Sequence, residues 1–214
     1  MQLANDKIII NYNEEDKEYV TTIFDKINTM LPKYLNFFDT EKLNYPIIIN
    51  LYNDINQFQN TIKNRNGGKS PKSYIAAITH KNIIDSLSLN ERRKISEHKN
   101  TTEEEYIMVF LHELFHICHI NYMDDNSKCT WLAEGLACYF GNPVYQESTI
   151  DCSVEDLLNL QAHYKYYYTL TKYIIENYDH SYVLKLAKDP KLLFSQTEEI
   201  VRETNKYLNK KHKK

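Results

Sequence analysis

Apolar positions along this chain recur with two periods, and the change from one to the other organises it. Residues 7–12, carrying Ile8, Ile9 and Ile10, read as a short strand. Over residues 14–35 the apolar side chains fall at Tyr19, Val20, Ile23, Phe24, Ile27, Met30 and Leu31. That is a helical period, and Pro32 is expected to bend or end the helix. The β-branched run at 45–52, with Pro46 at its start, predicts a second strand. A short helix is expected over 54–63 and a loop over 66–71, where Gly67, Gly68 and Pro71 cluster. A third strand is expected over 73–79 and a fourth over 82–89, followed by a charged, exposed stretch at 91–100.

Beyond that point only the helical period remains. Thr101 and Thr102 precede Glu104 and Glu105, a capping-box arrangement for a helix start. From Tyr106 to Ile120 the run is apolar on most sides, which marks a buried helix. A loop over 121–129 leads to a second apolar helix, stopped by Gly141-Asn142-Pro143. Ser153 caps a short turn with Asp156, a Tyr-rich helix is expected over 161–177, and two further helices around 181–187 and 197–209. Strands with helices first, then helices alone, predict an α+β fold: a small N-terminal mixed sheet packed on the helix that Thr102 opens, followed by a helical C-terminal lobe. The length suits one domain, residues 1–214, with lobes at 1–122 and 123–214.

The buried helix carries polar groups that need a reason. His112-Glu113-Leu114-Phe115-His116 places two imidazoles one turn apart on one face, where both can reach one ion. Glu113 sits beside them, suited to take a proton from a water activated by that ion. Eighteen positions after His116 comes Glu134, within a second apolar helix. Three ligands leave a fourth position open, the arrangement of catalytic zinc. The alternative is a pair of hydrogen-bonded core histidines, but two His and a Glu on so apolar a helix are costly unless something binds them. His119, one turn on, reads as packing or as support for a ligand. Gly135 either lets the second helix approach the first closely or is a tolerated helix glycine.

His112-Glu113-Leu114-Phe115-His116 and Trp131-Leu132-Ala133-Glu134-Gly135-Leu136-Ala137 together resemble the gluzincin metallopeptidases, the thermolysin-like and aminopeptidase-like zinc proteases of the peptidase MA type. The likeness is greatest to small bacterial members in which a Trp-Leu-x-Glu-Gly-x-Ala segment supplies the third ligand. It is specific over about residues 103–140 and looser as far as Tyr178. The resemblance implies a minimal zincin fold, one zinc ion per chain held by His112, His116 and Glu134, Glu113 as general base, and hydrolysis of a peptide or protein substrate. In such enzymes an edge strand binds the substrate main chain by strand addition. Tyr74-Ile75-Ala76-Ala77-Ile78 is the segment expected to do so, with Ala76 and Ala77 as the small residues that let a peptide come close. Many relatives also use a Tyr or His of a downstream helix to stabilise the oxyanion. The pattern of Tyr166, Thr169, Leu170, Tyr173, Ile174 and Tyr178 singles out Tyr166 over Tyr164, Tyr167 and Tyr168, with His163 and His180 the next candidates. One departure stands out: Cys138 occupies the place where thermolysin-type enzymes carry an acidic partner to a zinc histidine. Asp124, Asp125 or backbone carbonyls would have to supply that support.

Composition changes this picture little. With 26 Lys and Arg against 29 Asp and Glu the net charge is −3, so no basic bias points to nucleic acid. The abundance of Asn, Ile, Tyr and Lys reads as compositional bias, and the Lys-rich stretch at 206–214 as a solvated helix end. No apolar run is long enough to span a membrane, and the first residues lack the features of a secretory signal. A cytoplasmic location is therefore expected, or an exported one if a leader was removed. Cys118, Cys129, Cys138 and Cys152 lack zinc-knuckle spacing. No Gly-x-Met-Glu-Asn-type segment is present, which favours an endopeptidase or a specialised peptidase. Two other functions fit the same residues: a regulatory protease acting on one intracellular partner, and a non-catalytic peptide-binding module retaining the fold. The intact Glu113 argues against the latter. The sequence gives no basis for an oligomeric state.

Overall fold

A computed structural model describes residues 1–124, 129–141 and 144–211. The fold is α+β, as the two periods predict, with a small mixed sheet first and helices after it. The chain divides into two compact units, Met1–Asp125 and Asn126–Lys214.

In the first unit, strands β1 (Gln2–Ala4), β2 (Ile8–Asn11), β3 (Ile47–Tyr52), β4 (Ala77–His80) and β5 (Ile83–Leu87) form a sheet of order β1-β2-β3-β5-β4. The β2, β3 and β5 pairings are parallel, and the two edge strands pair antiparallel. β1 was not predicted, because three residues without apolar alternation carry no strand signal. The expected third strand is shorter than its sequence suggests. Residues 73–74 form a turn, in which the Ile75 amide bonds the Lys72 carbonyl at 3.0 Å, and pairing begins only at Ala77.

Register decides which residues share a face. Ile8, Ile10, Ile47, Ile49 and Ile84 align across the central strands and are fully buried. Ala77 and Thr79 lie on this same face, opposite Ser86 and Ile84. The other face carries a polar ladder through directly paired positions. Gln2 donates to Asn11 (3.1 Å), Asn11 to Asn50 (2.9 Å) and Asn50 to Asp85 (2.8 Å). The fully buried Asp85 also accepts from the Tyr52 hydroxyl (2.9 Å) and pairs with Arg65 at 2.8 Å. A slip of one residue would break every rung, so the ladder helps to fix the register.

Four helices of this unit follow from local signals. α1 (Lys17–Phe37) continues through Pro32 instead of ending there. Pro32 is exposed, so its ring displaces no core side chain. α2 (Ile55–Arg65) is capped by Asp54, whose carboxylate accepts from the Asn56 and Gln57 amides. It buries Phe58 and Ile62 against Ala76, Leu87 and Ile95 on the ladder side of the sheet. α3 (Leu89–Arg92) is a single turn capped by Ser88. α4 (Glu103–Tyr122) carries the expected capping box. Thr102 Oγ1 accepts from the Glu105 amide at 3.1 Å, and Glu105 accepts from the Thr102 amide at 2.8 Å.

The second unit is helical: α5 (Trp131–Gly141), α6 (Val154–Leu158), α7 (Tyr164–Asn177), α8 (His180–Lys188) and α9 (Pro190–Lys211). Ser153 and Asp156 form the expected capping box on α6. The Trp131 indole donates to Thr197 Oγ1 at 3.0 Å, tying α5 to α9 in the buried interior. Of the expected features, Asp125, the stop at Asn142-Pro143 and the last three residues of the Lys-rich stretch lie outside the described residues. No helix among the described residues is long and apolar enough to cross a membrane.

Gly135 has a specific cause here. A Cβ built on it would lie 2.0 Å from Thr171 Oγ1 and 2.5 Å from the Tyr167 carbonyl oxygen, both on α7. The close approach it permits is therefore between α5 and α7. Gly135→Ala is expected to lower stability by about 3 kcal/mol, the upper part of the usual range for overpacking, since a backbone oxygen cannot move aside. Thermal unfolding measures this. Adding Thr171→Ala should recover only part of the loss, because the contact with the Tyr167 carbonyl remains.

Candidate metal centre

α4 is held from several sides before any ligand chemistry enters. Tyr106 donates its hydroxyl to the Leu87 carbonyl at 3.0 Å, fixing the first turn to β5. Phe115 packs among Tyr34, Phe37 and Phe38 of α1 and the residue that ends it, with ring centroids 5.2 to 5.7 Å apart. His119 is buried and stacks on Phe38 at 5.6 Å, a packing role. Phe110, Leu114, Phe115, Ile117 and Cys118 are buried, while His112, Glu113 and His116 stay half-buried. The polar groups therefore share one less covered stripe of an otherwise packed helix.

His112 and His116 meet closely within this stripe. Their Nε2 atoms are 3.1 Å apart, with ring planes at 77°. Two ligands on a tetrahedral ion, each about 2.05 Å from it, would be separated by about 3.3 Å. The observed spacing fits a shared cation. Glu134 lies in the first turn of α5, where a helix N-terminus favours negative charge. Thr130 opens that turn: its Oγ1 accepts from the Ala133 amide at 3.2 Å and its carbonyl from the Glu134 amide at 3.1 Å. One ligand atom from each of His112, His116 and Glu134 lies within 4.8 Å of the others, and the group could hold a metal ion. Two imidazoles and one carboxylate form a three-ligand set that leaves a tetrahedral ion one open position.

Glu113 is not part of that group. Its Oε2 accepts from the Thr79 hydroxyl at 2.7 Å, and its backbone carbonyl lies 3.2 Å from the same oxygen. The Arg92 guanidinium lies within range of its charge, and burial holds Arg92 below the usual arginine range. Thr79 was missed in the sequence. Its strand position was visible, but its contact with a residue 34 positions away is tertiary and leaves no local mark.

Around Glu134 the surroundings are aromatic and thiol-rich. The Cys129 thiol donates to Glu134 Oε1 at 2.9 Å. Tyr145 and Tyr167 both lie within range of the Glu134 charge, and burial pushes each phenol up to about 12. Tyr167 is almost completely buried, whereas Tyr145 is half-buried and packs near Tyr164 and Tyr168. Tyr166 is directed elsewhere, its hydroxyl donating to the Asp151 carboxylate. Tyr145 had no sequence signal, because its segment follows neither period. Cys138 is buried, and burial pushes its thiol well above the usual range. All four cysteines are free thiols. Ala77 lies half-buried on the edge strand β4, on the Thr79 face. Ala76 belongs to the core beside Phe58 and Ile62, so it offers no surface to a ligand.

Comparison of the chain with protein-family models, with curated proteins and with solved structures finds no match in any of the three.

One divalent ion per chain is expected by elemental analysis, and chelation should lower the thermal midpoint. Occupancy at a hundredfold over the dissociation constant is worth about 2.7 kcal/mol. His116→Ala should abolish both the bound metal and the chelator-sensitive part of the stability.

Proposed function

We propose that this chain is a zinc-dependent metallopeptidase of the gluzincin kind, cleaving peptide bonds within a peptide or protein substrate. The observation that carries the proposal is the three-ligand group of His112 and His116 on α4 with Glu134 of α5, beside a Glu113 that is held separately by Thr79. The 3.1 Å between the two Nε2 atoms would also suit a hydrogen-bonded histidine pair, but such a pair alone requires neither Glu134 within ligand reach nor the adjacent, independently anchored carboxylate.

Zinc bound there would lower the pKa of water towards neutrality and polarise a carbonyl. Glu113 accepts the proton of the attacking water at its carboxylate and passes it to the leaving amine. The edge strand β4 supplies positioning. Ile78 and His80 bond to β5 in the antiparallel alternation, continuing the Leu87 amide bond to Ala76, so the main-chain groups of Ala77 and Thr79 point outward. An extended peptide could add to that edge. Of the candidate phenols, Tyr145 takes the place first assigned to Tyr166. It is near Glu134, it is half-buried and so reachable, and a phenol can donate a hydrogen bond to the developing oxyanion.

The decisive experiment uses dye-labelled casein and a peptide mixture as substrates. Glu113→Gln is expected to keep stoichiometric zinc and the thermal midpoint while lowering turnover by about two to four orders of magnitude. A variant that cleaves like the wild type would end the proposal.

Tyr145→Phe is expected to lower kcat by about a hundredfold or more with zinc content intact. Tyr166→Phe, whose phenol is committed to Asp151, should change kcat little. The reverse order would restore Tyr166 as the donor.

A further inference from the structure

The Glu113 carboxylate needs a defined direction to move a proton, and Thr79 is the residue observed to provide one. Thr79 sits on the edge strand β4, two residues before the Lys81 turn, where φ is +54°. Its side chain lies on the sheet face of Ile84 and Ile49, and there it meets α4. The hydroxyl has one hydrogen and two oxygens within reach, both on Glu113: Oε2 at 2.7 Å and the backbone carbonyl at 3.2 Å. The shorter contact is the one suited to a charged acceptor. The hydroxyl thus lies against both the backbone carbonyl and the carboxylate of one residue, which restricts the side chain to rotamers that bring its carboxylate back over its own turn. The outward main-chain groups belong to the same Thr79.

We propose that Thr79 is a positioning residue that sets the direction of the Glu113 carboxylate and places it in register with a peptide added to β4. The inference rests on the metallopeptidase reading for its consequence in turnover, but not for its structural content. Because one residue both faces the open edge and holds the base, a peptide paired with Thr79 has its backbone fixed relative to Glu113 through one side chain, whose single hydroxyl hydrogen goes to the carboxylate at 2.7 Å. A misplacement of the base by about 1 Å costs on the order of a hundredfold in rate, so the geometry of this one contact is large enough to matter.

The test compares Thr79→Val, which keeps size and β-branching but lacks the donor, with Thr79→Ser, which keeps the donor. Two readouts are taken. In crystal structures of the zinc-loaded proteins, the Glu113 carboxylate is expected to leave its position in Thr79→Val and keep it in Thr79→Ser. On dye-labelled casein, Thr79→Val is expected to lose about tenfold to a hundredfold in kcat with KM little changed, while Thr79→Ser stays within a few-fold of the wild type. Zinc content and thermal midpoint should be the same in all three. An unmoved Glu113 in Thr79→Val, or equal losses of kcat in the two variants, overturns the proposal. If the wild type cleaves nothing and Glu113 still shifts only in the Val variant, the positioning role stands and the metallopeptidase reading falls.

Discussion

α4 has to be buried and polar at once. Its length is packed against α1 and the sheet, yet it carries two imidazoles and a carboxylate within five residues. An uncompensated polar group in such a place costs up to several kcal/mol, so each must be given a partner or a ligand. Sidedness resolves the conflict. Phe110, Leu114, Phe115 and Cys118 take the packed side, and His112, Glu113 and His116 share the half-buried stripe. The helical repeat puts residues four apart on one face, and the orientation of the two rings then brings their Nε2 atoms to 3.1 Å. Without an ion the two nitrogens can share a hydrogen bond, and a shared cation would replace it by coordination.

The sheet serves the same helix at a distance. The ladder from Gln2 through Asn11 and Asn50 to Asp85 lies on the opposite face and helps to hold β1, β2, β3 and β5 in register, while the two-residue turn at Lys81-Asn82 sets β4 against β5. Register then decides that Thr79, and not Ile78, faces α4. A one-residue slip of β4 would turn an apolar side chain towards Glu113 and the hydroxyl towards the core formed with α2. The position of a single hydroxyl beside the proposed base therefore depends on the register in which the Lys81-Asn82 turn pairs β4 with β5.

The motif helix, its capping box and the order of elements were legible in the sequence because each rests on local spacing. Thr102 with Glu105 and the apolar run to Ile120 need no tertiary knowledge. The readings that changed depend on partners far along the chain. Asn11 and Asn50 look like compositional bias until strand pairing aligns them with Asp85. Gly135 reads as a contact surface, but only the fold identifies Thr171 and Tyr167 as what it accommodates. Tyr166 carried the pattern, but the helix turns its phenol to Asp151. Pro32 failed to end α1 because its ring falls on the exposed side, where it displaces no core side chain.

The charge balance around Glu134 bears on what the three-ligand group can hold. It accepts from the Cys129 thiol, and the Tyr145 and Tyr167 phenols, raised by burial, lie within range of its charge. Cys138, where thermolysin-type enzymes place an acid, is buried and its thiol is likewise raised, so it adds no negative charge at neutral pH. The proposed ligand set then contributes one anionic group and two neutral imidazoles, leaving a divalent ion with residual positive charge. That residue of charge is what makes a metal ion a Lewis acid towards a carbonyl. Cys138 offers no carboxylate to orient a zinc histidine, so in the proposed centre orientation rests on hydrogen bonds such as the one that Thr79 donates to Glu113.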